Sequence, residues 1–172
     1  MLEWAYRGFK EPEGPTGYEF IHLKTATRTK QRAVRRRLEC LGISNKRILN
    51  VHFPTKGIVA ILVHQSYALK IVPLLQKAKI QPVDFDPTHP SVICDPQYDN
   101  LTFDKRKEKA TILYSSRILR ICTGMKHEHL GTAIMNHFHG LPSTSSFKVM
   151  DVFHGYYHNP NDYDLADPPA TE

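Results

Sequence analysis

Cysteine is scarce in this chain. Cys40, Cys94 and Cys122 are widely spaced, odd in number and never arranged as Cys-x-x-Cys. That pattern argues against a disulfide framework and a cysteine zinc site, and points to a reducing compartment. Long apolar runs are missing too. None reaches the roughly 18 residues of a membrane span, and MLEWAYRGFKEPEGP at the start has no apolar signal segment. The expectation is an intracellular protein of cytoplasm or nucleus, without membrane contact. There is no Gly-rich phosphate loop, no Gly-x-Ser-x-Gly elbow and no Walker sequence. Neither catalysis nor a cofactor is therefore expected.

Acid is scarce in one half only. Residues 1–83 hold 15 basic and 5 acidic side chains, and residues 84–172 hold 8 and 12. The excess concentrates between Lys24 and Arg47, where nine cations face one acid, Glu39. Within that block Val34, Leu38 and Leu41 recur at i, i+4 and i+7, the stripe of an amphipathic helix. A disordered basic tail needs no stripe, so the block reads as a helix that docks one face and offers arginines to something negative. Phosphate neutralisation supplies most non-specific affinity for nucleic acid, and arginine forks match phosphate in two places at once. The candidate nucleic-acid contacts are Arg28, Lys30, Arg32, Arg35, Arg36, Lys46 and Arg47, with Lys56 beyond them.

At 172 residues and 41% hydrophobic, the chain suits one well-buried core. Residues 1–17, with glycines and prolines among charges, read as an irregular arm with Trp4, Tyr6 and Phe9 as docking points. YEFIHLK from Tyr18 alternates as a short strand. The basic helix follows, with Thr29 as N-cap and Gly42 past its end. Arg47 to Phe53 reads as a strand, Pro54 to Gly57 as a turn, and IVAILV (Ile58 to Val63) as a central strand covered on both sides. A helix from Ser66 to Lys79 would bury Ala68, Leu69, Val72, Leu75 and Ala78, with Pro73 kinking it or delaying its start. QPVDFDP (Gln81 to Pro87) supplies a last strand.

The order β-α-β-β-α-β over residues 18–87 is that of an α+β, ferredoxin-like split-βαβ domain, an RNA-recognition-like arrangement. Its sheet is expected to carry both helices on one face and leave the other open for binding. Residues 88–101 form a connector. Helices from Thr102 to Cys122 and from Lys126 to Phe138 lie within residues 102–140, and 141–172 form a flexible acidic tail.

RNA-recognition motifs stack bases on aromatics of the third element, in the pattern Lys/Arg-Gly-aromatic-Gly/Ala-aromatic-Val-x-aromatic. Here that stretch is Lys56-Gly57-Ile58-Val59-Ala60-Ile61-Leu62-Val63, aliphatic at all three aromatic positions. Base stacking would fall to Phe20 and His22 on the first strand or His52 on the second. The same rings would equally suit packing under the C-terminal helices.

Three further stretches carry a resemblance: Arg47-Ile48-Leu49-Asn50-Val51-His52-Phe53-Pro54, Leu62-Val63-His64 with Tyr67-Ala68, and Asp84-Phe85-Asp86-Pro87. Over residues 18–138 the chain resembles the Gag-like first-open-reading-frame proteins of fungal LINE-type retrotransposons. The resemblance implies an RNA-recognition-like fold that packages element RNA and acts as a nucleic-acid chaperone. Zinc knuckles and sustained coiled-coil heptads are lacking from this sequence.

Ten histidines include HEH, HFH and HGYYH: His127, His129, His137, His139, His154 and His158. No His-Glu-x-x-His spacing occurs, and no metal site is expected. Asp84 and Asp86 share a face if their segment is a strand, but Asp86 before Pro87 is better explained as a turn former. The expected ligand is RNA or single-stranded DNA, bound electrostatically with little sequence preference. The alternative is a protein-protein interaction module of the same fold, self-association included, whose aliphatic sheet face binds a helix.

Overall fold

The structure, a computed structural model, describes residues 16–26 and 28–139. Trp4, Tyr6, Phe9, His154, His158 and the acidic tail lie outside the described residues.

Strand β1 (Tyr18–Lys24) leads into helix α1 (Gln31–Cys40), then a 3-10 turn (Asn45–Arg47), β2 (Asn50–Thr55), β3 (Ile58–His64) and α2 (Gln65–Lys77). Two further 3-10 turns, Pro90–Val92 and Pro96–Tyr98, precede α3 (Phe103–Thr123) and α4 (Glu128–His139). The result is α+β, with one three-stranded antiparallel sheet in the order β1-β3-β2.

Local sequence explains most boundaries. Helix α1 ends in a Schellman motif: Gly42 N–H donates to the Glu39 carbonyl (2.9 Å) and Ile43 N–H to the Leu38 carbonyl (3.0 Å). Gly42 takes φ +81°, a conformation open to glycine, and Ile43 and Leu38 are both buried beside it. Helix α2 closes the same way with Lys79 at φ 58°, at the steric cost that a side chain brings there. The N-cap of α1 is Lys30, one residue beyond the expected Thr29, and no side chain caps it. The hairpin turn is tighter than expected, because β2 runs on through Pro54 and only Lys56 and Gly57 turn, Gly57 at φ +78°. Proline is tolerated there because β2 is an edge strand with an irregularity in its pairing between His52 and Thr55.

Helix α2 is continuous through Pro73, which is exposed, so the carbonyl it cannot serve can turn to water. Its buried stripe is Tyr67, Ala68, Ile71 and Leu75, rotated from the expected one, and Leu69 is 64% exposed.

Two expectations are corrected. Gln81 to Pro87 pairs as no strand; its one backbone link to the sheet is Val83 N–H to the His22 carbonyl, 2.8 Å. Pro82 does not by itself account for this, because strand N–H groups alternate in direction and the one beside the bonded Val83 would face away from β1. Nor is the second sheet face open. On one face Ile21, Ile61 and Val51 align in a row across the strands and pack with Val34, Leu38, Ile71 and Leu75 of α1 and α2. On the other, Leu62, Tyr18 and Phe20 pack with Tyr114, Ile118, Cys122, Ile134, Met135 and Phe138 of α3 and α4. The sheet is the middle of three layers.

Candidate nucleic-acid interface

Helix α1 buries Val34 and Leu38 and turns its remaining faces outward. Arg32 and Arg36, one turn apart, are exposed on the crest, Arg37 is exposed on one flank, and Arg35 is half-buried on the other. Among the described residues no salt bridge reaches any of them; the ion pair found there joins Arg106 to Asp99 at 3.8 Å, elsewhere in the fold. The first turn of α1 holds no acid, so the helix offers no carboxylate of its own to the positive end of its dipole.

Both ends of α1 extend the charge. At the C-terminal end, Lys46 and Arg47 are exposed on the 3-10 turn. The Arg47 guanidinium lies 4.2 Å from the centre of the Tyr67 ring, and the Tyr67 hydroxyl accepts the Ser44 N–H at 2.9 Å. This fixes Arg47 by cation–π contact and ties the turn to α2. Beyond it, burial and then the Arg47 charge lower the pKa of His64. At the N-terminal end, Arg28 and Lys56 line one cavity of about 730 Å3, with Phe53 and Val92 among its apolar lining. At about 1.5 Å per residue, α1 sets its two ends about 15 Å apart. The structure thus joins Arg28, Lys30, Arg32, Arg35, Arg36, Lys46 and Arg47 along one helix and its two flanking turns, and brings Lys56 of the β2–β3 hairpin to Arg28 at the cavity.

Phe20 and His22 are not part of that surface. The Phe20 ring sits 5.1 Å from Phe138 and 5.3 Å from His52, and His22 lies 4.9 Å from Phe85. Their places as base-stacking platforms are taken by the chain's own rings. This face also holds polar groups that are buried without a hydrogen-bond partner among the described residues: Asn50 Oδ1, His52 Nδ1, Ser115 Oγ and Arg117 Nη1. Burial, then Arg117 and His22, push the pKa of His52 down to about 4. Burial also lowers that of His22, against the pull of Asp84.

Among the described residues no group of three His, Cys, Asp or Glu is placed to hold a metal ion. His127 precedes α4 and its ring stands 5.5 Å from that of His129. Asp86 accepts from the Thr88 hydroxyl at 2.7 Å and the Thr88 N–H at 2.8 Å, a turn-forming role. No described helix is long and apolar enough to cross a membrane.

Sequence reasoning missed the cavity and the polar seam around His52 and Arg117. Each joins residues 30 or more positions apart, and no local pattern signals it. Comparison with protein-family models, with curated proteins and with solved structures finds no match to this chain.

Proposed function

We propose that this chain binds RNA or single-stranded DNA through the outer face of α1, as a Gag-like packaging protein of a LINE-type element does. What carries the reading is a row of arginines that is exposed, anchored by a buried stripe and free of acidic partners among the described residues. Side chains with no intramolecular counter-ion are available to release the counter-ions of a phosphate backbone. The β1-β3-β2 order, with α1 and α2 packed on one face and the Val83 segment alongside β1, supports a split-βαβ ancestry in which the fourth strand has lost its ladder.

In this reading recognition is by charge, and Phe20 and His22 act in packing. No catalytic step is assigned. The alternative, a protein-interaction module, relied on an open aliphatic sheet face, and neither face is open: α1 and α2 cover the aliphatic one, and α3 and α4 cover the other. The test is joint replacement of Arg32, Arg35 and Arg36 by Gln. Affinity for a single-stranded oligonucleotide should fall, and the slope of log affinity against log salt should become shallower by roughly 0.7 for each lost contact. Unchanged affinity and slope in a folded variant would refute the interface.

A further inference from the structure

The cavity at the N-terminal end of α1 differs in character from the helix face beside it. Phe53 and Val92 give it apolar walls, while Arg28 and Lys56 stand among its lining residues. One wall is built by the connector. The Thr55 hydroxyl, at the end of β2, donates to the Val92 carbonyl at 3.3 Å and lies 3.3 Å from Cys94 Sγ. The one acid in the lining, Asp95, has both carboxylate oxygens engaged by Gln97, at 3.1 Å to its N–H and 2.7 Å to its side-chain amide. Its charge is thereby partly answered within its own turn.

A phosphate alone would use the two cations and leave the apolar walls wet. An apolar side chain would bury the walls and leave two cations unanswered. One unstacked nucleotide satisfies both, with its base against Phe53 and Val92 and its phosphate between Arg28 and Lys56. About 730 Å3 lies within the usual range of small-molecule sites. We infer that this cavity receives a single splayed base from a strand whose backbone continues along α1, so that the protein has a base-contacting pocket at the β2 end of its sheet and not on a sheet face. The inference rests on the α1 reading and extends it from backbone to base.

Two exposed cysteines report on the two parts separately. Cys94 lines the cavity and Cys40 ends α1, while Cys122 is buried. The full chain is alkylated with iodoacetamide, with and without an oligouridylate of about twelve nucleotides, a length within single-strand site sizes. At ten times Kd, alkylation of Cys94 should slow roughly tenfold. An abasic strand of equal length should slow Cys40 as oligouridylate does and leave Cys94 at its free rate. Phe53→Leu, which keeps an apolar side chain there, should weaken oligouridylate binding roughly tenfold, a loss within the range of one stacking contact, and leave abasic-strand binding unchanged. If oligouridylate binds and protects Cys40 but not Cys94, or if the abasic strand protects Cys94 equally, the pocket proposal fails and the α1 interface stands. If neither cysteine is protected and no binding is seen at low salt, both fail together.

Discussion

The two faces of the sheet are built from the same three strands and differ in nearly every physical respect. Toward α1 and α2 the row Ile21, Ile61 and Val51 is aliphatic, and none of the unpartnered buried polar atoms is on it. Toward α3 and α4 the rows are Phe20, Leu62, Asn50 and His22, Ala60, His52, mixing rings, an amide and two imidazoles. The first face is a dry core. The second is a seam whose polar groups lower its net gain from burial, since each desolvated and unpaired group costs about 1 to 3 kcal/mol. The difference teaches that the domain has a strong half and a conditional half, joined along one sheet.

The comparison breaks most readily on the dry side. Leu38 is 3% exposed, and Leu38→Ala should cost about 2 to 5 kcal/mol of stability by chemical denaturation, a large share of a small domain's total. A variant that unfolds at the parent's midpoint would show that α1 is not seated as described.

Acid should act on the seam. The folded-state pKa of His52, about 4, lies below its ordinary value of 6.5, so the unfolded chain takes the proton first. Stability is complete above pH 6.5 and declines as pH falls toward 4, by about 3 kcal/mol at most from this group. His22, also lowered, adds in the same sense. Denaturation midpoints between pH 7 and pH 4.5 should drop less in His52→Gln than in the parent, and amide exchange should quicken first in α3 and α4. An equal drop in both proteins would remove His52 from the account.

The smallest effect expected is on binding. Phe20→Ala should loosen the seam yet change affinity for single strands by less than about 0.5 kcal/mol, below the range of a stacked base. A loss above about 1 kcal/mol in titrations of the folded variant would mean that the seam opens to let bases in.

Much of this was readable in order along the chain. The Val34 and Leu38 stripe placed α1, Gly42 placed its end, and α3 begins after Thr102 and ends within a residue of Cys122, as the sequence indicates. Residues Val59 to Val63 are all buried. That unbroken apolar run is the signature of a strand covered on both sides, and it spoke against an open face more directly than topology spoke for one. Cover by the C-terminal helices was one of two readings the sequence left open, and the clustering of Leu62 with Ile118 and Phe138, more than fifty residues away along the chain, decides between them. That the fourth strand makes a single backbone bond to the sheet was not legible, since Pro82, next to the bonded Val83, stands where an edge strand tolerates proline. Of the interface, the charges were legible and the pocket was not, since Arg28, Phe53 and Val92 meet only in the fold.

The sheet's margins carry one more consequence. Pro54 and the irregular pairing near it occupy the outer strand β2, while the Val83 segment runs against the outer side of β1. An unguarded margin is a template on which a second chain can add a strand, and proteins crowded together are the most exposed to that hazard. Copies of this domain brought close together would therefore meet edges that resist pairing, and their sheets would stay separate.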